Sequence, residues 1–299
     1  MRNQQRRGAI EMIAAMTISG TIGAFVLWTH ESVFMIVFWR CVVGSLTLLL
    51  VCWWMGLLRP GVITSRQVGL AAVGGLALVA NWLLLFSAFP RTSISVATAV
   101  YNTQPFMLVA LGALVLKEKI TRNQIGWLAI AFIGMLAVVE GPPPTGAPGS
   151  DYIVGIAMAL AGAFFYAIAA IVTKQLKGVP PHLIALIQLL VGVIALAPTT
   201  EFHAHAPDAR QWLLLGTLGI VHTGLMYILL YGAIQKLPTP LTGALSFVYP
   251  VVAIVVDSVA FGIRLEPVQL LGAAVILLAA AGATLRWSIL PGHDTSVAP

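Results

Sequence analysis

Thr98, Tyr101, Asn102 and Pro105 follow one another at helical spacing, with Gln104 beside them, inside a segment that is otherwise apolar. A second segment repeats the pattern with Thr242, Ser246, Tyr249 and Pro250. Further polar and aromatic groups interrupt other apolar runs: Asn81 and Trp82, Phe165 and Tyr166, and His222, Thr223, Tyr227 and Tyr231. Thr223, Tyr227 and Tyr231 step by four residues and form a hydroxyl-bearing stripe on one helix face. Amides, hydroxyls and aromatic faces without a carboxylate or lysine bind and orient a molecule but do not make or break bonds. The mixture suits a zwitterion with a sizeable apolar side chain. The expected binding set is Asn81, Trp82, Thr98, Tyr101, Asn102, Gln104, Phe165, Tyr166, His222, Tyr227, Tyr231, Ser246 and Tyr249, with Pro105 and Pro250 as hinges. A plainer reading stands beside it: the polar groups as interhelical hydrogen bonds worth under about 1 kcal/mol each, and the aromatics as packing.

Covalent chemistry finds no constellation. There is no H-E-x-x-H, no pair of intramembrane aspartates and no G-x-S-x-G on a suitable turn, so an integral membrane enzyme fits poorly. Glu201, His203, His205 and Asp208 include an H-x-H pair, but a short polar loop collects such groups by chance, and neither a metal nor a cofactor is expected. Cys41 and Cys52 share one apolar stretch, which argues against a disulfide framework or a cysteine metal site. His222 is the one readily titratable group near mid-depth, expected as a hydrogen-bonded residue rather than a proton carrier. Glu11 and Asp257 fall near opposite ends of their segments, as gates or as interfacial residues. Arg40 falls about 8 residues into its segment, roughly 12 Å from the outer end, and must be paired or hydrated. It can orient a substrate carboxylate, but snorkelling or capping of carbonyls is the stronger expectation.

The elements that position these residues follow from composition. Of 299 residues 59% are hydrophobic and 9% charged, against roughly 45–50% and 25% in soluble domains. That excludes a water-soluble fold and makes lipid the solvent. At about 20 residues per span, the apolar runs give ten helices: 9–28, 33–57, 67–89, 93–116, 123–140, 152–173, 180–198, 211–235, 239–262 and 267–286. The basic N-terminal residues before the first run superficially resemble a signal peptide, but Glu11 interrupts the run and no convincing cleavage site follows, so an uncleaved span is expected. With the N-terminus in the cytoplasm, Arg2, Arg6, Arg7, Arg59, Arg66, Lys117, Lys119, Arg122, Lys174, Lys177, Lys236 and Arg286 share that side and only Arg91, Arg210 and Arg264 the other. The positive-inside rule then puts both termini in the cytoplasm. The net charge of +6 is scattered singly, so nucleic acid is not an expected partner.

Residues 141–151, rich in proline and glycine, join two halves, 1–140 and 152–288, with a tail at 289–299. Trp82 to Ala88 matches Tyr227 to Ala233 at an offset of 145, which also carries Pro105 onto Pro250 and Gln124 onto Gln269. An offset of 148 carries Arg40 onto Gln188 and Gly44 onto Gly192. The halves form an internal repeat of five helices each. Five is odd, so the second copy enters the membrane from the opposite side, the plan of inverted-repeat transporters whose substrate site lies where the repeats meet. A proline in mid-span weakens the helix ladder and lets it bend, and its recurrence in both copies favours a hinge over a static kink.

These two five-helix repeats, the proline-broken fourth and ninth helices and the segment Glu118-Lys119-Ile120-Thr121-Arg122-Asn123-Gln124-Ile125-Gly126 resemble the drug/metabolite transporter superfamily. More narrowly they are similar to its EamA-domain amino-acid exporters, including the aromatic amino-acid exporters. The second copy of the segment, from Gly262 to Gly272, puts Ile263 where the acidic residue usually stands, and the first is one residue shorter before its glycine. The resemblance implies an all-α membrane protein that exports amino acids, including aromatic and large neutral ones, through the cytoplasmic membrane by alternating access. Its partners are then a small-molecule substrate and the bilayer, with a monomer the simplest assembly. A drug or nucleoside exporter is the alternative; it predicts a mid-span carboxylate, which the sequence lacks.

Overall fold

The computed structural model describes residues 2–88, 91–92, 97, 100–139, 149–200, 207–261, 267–285 and 287–289. Among these every regular element is helical. The helices are α1 (Arg2–Gly20), α2 (Ile22–Thr29), α3 (Val33–Trp54), α4 (Ser65–Ala88), α5 (Gln104–Val115), α6 (Arg122–Val139) and α7 (Gly149–Gln175). They continue as α8 (Pro181–Leu196), α9 (Ala209–Gly219), α10 (Met226–Lys236), α11 (Thr239–Ser246), α12 (Val248–Phe261) and α13 (Pro267–Leu285). A π-helical stretch, Ile220–Leu225, joins α9 to α10. Six helical stretches, among them Val33–Trp54 and Ser65–Ala88, are long and apolar enough to cross a membrane. Leu114, Ile194, Val259 and Trp54 stand 75–84% exposed around the bundle, which only a lipid surround makes affordable.

Several helices begin with a reciprocal cap. Thr121 Oγ1 accepts from Gln124 N at 3.2 Å, and Gln124 Oε1 accepts from Thr121 N at 2.9 Å. Thr64 with Gln67, and Asp208 with Gln211, repeat this before α4 and α9. Each box satisfies two backbone donors that a helix start leaves unpaired. Asp208, one member of the H-x-H cluster, is thus used as a cap, while Glu201, His203 and His205 lie outside the described residues. Next to the Thr121 box, Asn123 Nδ2 donates to Trp287 O at 2.8 Å, which fastens the start of α6 to the chain beyond α13. Thr121→Ala is expected to cost about 1 kcal/mol, read as a lowered thermal midpoint in detergent; an unchanged midpoint would show that the cap is redundant.

The helical ladder is interrupted where the sequence places its polar groups. Thr21 separates α1 from α2, and Asn102 and Thr103 form a turn ahead of α5. Phe247 separates α11 from α12. Pro105 lies in the first turn of α5 and Pro250 is the third residue of α12. Neither proline therefore deprives an established ladder of a donor, because the first N–H groups of a helix have no intrahelical acceptor. The breaks precede the prolines, which start the second half-helices. Pro105 meets Gly243 on α11, where a Cβ would come within 3.2 Å of the proline Cβ, so the two interrupted helices cross closely here.

Packing joins the two parts of the chain rather than separating them. The main contacts run between α4 and α7, α1 and α10, α3 and α8, α6 and α13, and α5 and α11. At one crossing, Gly219 of α9 faces Val43 and Gly44 of α3 with no room for a side chain. Cys41 and Cys52 are buried and free on α3.

Candidate functional site

A cavity of about 90 Å³ opens inside the bundle. That is several times the roughly 10–15 Å³ a cavity needs to admit a single water. Met16, Ser19 and Ile22 of α1 and α2 line it, together with Arg40 of α3 and Asn81, Trp82, Leu85 and Phe86 of α4. Tyr101, Gln104 of α5, Tyr166 of α7, Met226, Tyr227 and Leu230 of α10, and Tyr249 of α12 complete the wall.

Asn81 organises one side. Its Nδ2 donates to Tyr101 OH at 3.0 Å and to Gly162 O at 2.8 Å, linking α4 to Tyr101 and to α7. With that lone pair of Tyr101 engaged, its hydroxyl proton remains to donate. Tyr166 meets Tyr101 edge-on at 6.3 Å, and Tyr227 meets Trp82 edge-on at 5.7 Å, so the aromatic rims are fixed by one another. Gln104 Oε1 is buried without a hydrogen-bond partner among the described residues.

Arg40 departs from the expectation of snorkelling or carbonyl capping. It is 1% exposed, and its Nε donates to Thr223 Oγ1 at 3.2 Å. Its guanidinium carbon lies 4.5 Å from the centre of the Trp82 ring and 6.0 Å from that of Phe86. Thr223 in turn donates to Leu218 O at 2.7 Å, five residues back, a bond that the π-helical register makes available. The irregular turn between α9 and α10 therefore holds the arginine in place. The sequence offered only distance along a helix, and distance cannot show which neighbour the side chain meets.

The other expected residues stand elsewhere. His222 Nε2 lies 2.7 Å from Thr21 Oγ1 and its Nδ1 3.4 Å from Thr217 O, so it ties the π-helical turn to the break between α1 and α2. Tyr231 donates to Gln188 Oε1. Ser246 Oγ donates to Thr242 O at 2.9 Å within α11. Asn102 is buried at the turn before α5, and half-buried Phe165 packs against the main core. Thr98 and the side chain of Asp257 lie outside the described residues. The wall members missed in the sequence are mostly apolar: Leu85 and Phe86 are one turn beyond Asn81 and Trp82, and Met226 and Leu230 flank Tyr227. Helical spacing from the polar anchors was the signal that could have found them.

One end of the bundle is cross-linked by ion pairs. Glu118 Oε1 lies 2.7 Å from Lys174 Nζ, and its Oε2 accepts from Thr239 N at 3.1 Å and from Thr239 Oγ1 at 2.5 Å. Lys174 also donates to Leu237 O at 2.8 Å. Burial alone would raise the Glu118 carboxyl, but the hydrogen bonds from Lys174 and Thr239 and the lysine charge outweigh it and hold the group below its ordinary value. Beside this knot, Glu11 takes Lys236 Nζ at 2.7 Å and Arg7 Nε at 3.2 Å.

The sequence profile of the EamA-like transporter family matches twice, over residues 6–139 and 153–285. The uncharacterized transporter YxxF of Bacillus subtilis is 31% identical over 280 residues, 91% of this chain and 88% of that one. A probable amino-acid metabolite efflux pump of Salmonella typhimurium is 28% identical over 198 residues, 60% of this chain and 64% of its own. A crystal structure 19% identical in sequence superposes with a TM-score of 0.80 over 93% of this chain and 98% of that one, which shows a shared fold.

Proposed function

We propose, since the chain belongs to the EamA-like transporter family, that this multi-pass membrane transporter exports small zwitterionic metabolites, namely amino acids including aromatic and large neutral ones. The observation that carries the reading is the cavity wall. Asn81, Tyr101, Gln104, Tyr166, Tyr227 and Tyr249 bring amide and hydroxyl groups and aromatic faces to one space, from elements on both sides of residues 141–151. The name of the Salmonella relative, an amino-acid metabolite efflux pump, points to the same substrates.

In this reading ten spans form two inverted halves, 1–140 and 152–288, with both termini in the cytoplasm and the protein in the cytoplasmic membrane. The contact pattern supports a two-fold relation between the halves: exchanging them carries the α4 and α7 pair onto α10 and α1, and returns α3 with α8 and α6 with α13 to themselves. A two-fold axis in the membrane plane produces such a pattern. The halves rock about the breaks ahead of Pro105 and Pro250, exposing the cavity to each side in turn. The ion-paired end, which carries the start of α1, faces the cytoplasm, so the conformation described is closed on that side.

Proteoliposomes containing the protein are expected to show saturable flux of labelled phenylalanine, methionine or threonine. The absence of saturable flux of any amino acid would overturn this function.

A further inference from the structure

The cavity wall includes a buried cation, Arg40. Among the described residues no carboxylate lies within ion-pairing reach of Arg40, and its Nη1 and Nη2 are buried without a hydrogen-bond partner. Burying an uncompensated charge is among the most costly arrangements a protein can hold, most of all inside a membrane. Packing does not require it. The repeat carries Arg40 onto Gln188 and Phe86 onto Tyr231, and there the contact persists with a neutral amide, which accepts a hydrogen bond from Tyr231. A neutral glutamine therefore occupies the equivalent position, its Nε2 buried and without a hydrogen-bond partner among the described residues, and the positive charge of Arg40 is an addition to one half only.

We infer that Arg40 is the anchor for a substrate carboxylate, and that Gln104 Oε1, also buried and unpartnered on the same wall, accepts the substrate ammonium. The inference rests on the carrier reading above and narrows its substrate to molecules with a free carboxylate. Nη1 and Nη2 present the parallel donors that a planar carboxylate accepts two at a time. Nε is engaged by Thr223 and the guanidinium face by Trp82, so the fork is fixed before the substrate arrives. Among the described residues no second cationic side chain lines the cavity. One guanidinium matches one negative charge, which favours carboxylates over doubly charged phosphate monoesters. Met16 and Met226 offer deformable apolar surface to side chains of different shape.

The test is competition for flux of labelled phenylalanine, methionine or threonine by each amino acid and by its own carboxamide, in the wild type, in Arg40→Gln and in Arg40→Lys. Each carboxamide keeps the side chain and the amine but lacks the negative charge. Expected in the wild type is at least tenfold weaker competition by the carboxamide, a preference that Arg40→Gln abolishes and Arg40→Lys retains in part. Competition by 3-phenylpropionate, which has the carboxylate and no ammonium, is expected to exceed that by phenylalaninamide. The wild-type comparison stands even if a variant fails to fold. Flux with equal competition by acid and carboxamide would overturn the anchor and leave the carrier reading intact. So would a preference that survives in folded Arg40→Gln. Absence of all saturable flux would overturn both.

Discussion

Gly219→Val is expected to leave little folded protein. A Cβ at this position would lie 2.4 Å from Val43 Cβ and 2.5 Å from Val43 Cγ1, with Gly44 N only 3.2 Å away. No rotamer relieves an overlap with a Cβ and a backbone nitrogen, so α9 and α3 must separate. The opposite side of α3 leaves little space for retreat, because a Cβ on Gly192 of α8 would meet Cys41 Sγ at 2.6 Å. Overpacking costs about 1–3 kcal/mol even where side chains can move, and here the backbone must. Any separation also pulls Thr223 from Arg40 and exposes the π-helical turn. Gly216→Val is the control: it lies one turn earlier on the same helix, and a Cβ added there would meet no heavy atom within 4 Å. The yield and thermal midpoint of monodisperse protein in detergent should collapse for Gly219→Val and hold for Gly216→Val. Equal behaviour of the two would refute the close crossing.

Glu118→Gln is expected to loosen the ion-paired end. The substitution leaves Lys174 Nζ, on a side chain only 13% exposed, with Leu237 O in place of a full charge partner. An exposed pair contributes up to about 1 kcal/mol and breaking a buried one costs about 3–5 kcal/mol, so a half-buried knot falls at about 1–3 kcal/mol. Every 1.4 kcal/mol is about tenfold in the population of an opened end. Thr242→Cys, at a position 1% exposed on α11, should then be labelled by a maleimide about tenfold faster in the Glu118→Gln background. Adding Lys174→Met removes the stranded charge and should recover most of the loss. The pH dependence has a definite sign. The folded carboxyl titrates below its unfolded value, so its contribution is complete above the ordinary carboxylate range and is lost as pH falls through the depressed folded value. Wild-type closure should weaken only in acid, and Glu118→Gln should flatten that limb. Labelling rates that do not differ between the two proteins would remove Glu118 from the closure.

The helical class was legible because lipid forces it: with backbone polar groups barred from hydrocarbon, a chain this apolar and this regularly interrupted by basic residues has few alternatives. The residues of the cavity were legible in part, for a reason that Tyr227 and Tyr231 illustrate. They share one helix face and one period, yet Tyr227 lines the cavity and Tyr231 donates to Gln188. Periodicity fixes the face a residue occupies, while the side chain across from it decides which partner its hydroxyl meets. Ser246 shows the local version, since a serine in a helix can bond its own backbone one turn back. Arg40 was the larger difference. Its partner Thr223 is 183 residues away and adopts its geometry only through a π-helical register, which no short pattern encodes. The segment from Glu118 to Gln124, by contrast, stands out in the sequence as a motif, and each of its polar residues has a local use: Glu118 joins the ion-paired end, Thr121 and Gln124 cap α6, and Asn123 holds the chain after α13.

Trp82 gives the cavity an optical signature of its own. Of the eight tryptophans in the chain, it alone borders the cavity. Trp39 and Trp212 meet edge-on with ring centres 4.6 Å apart, Trp127 and Trp287 lie tilted to each other at 6.4 Å, and Trp53 and Trp54 are exposed. An indole pressed against a guanidinium emits in a strong local field, and a molecule that neutralises that field changes the emission without touching the other chromophores. Occupancy of the cavity is therefore readable from the colour and intensity of one residue.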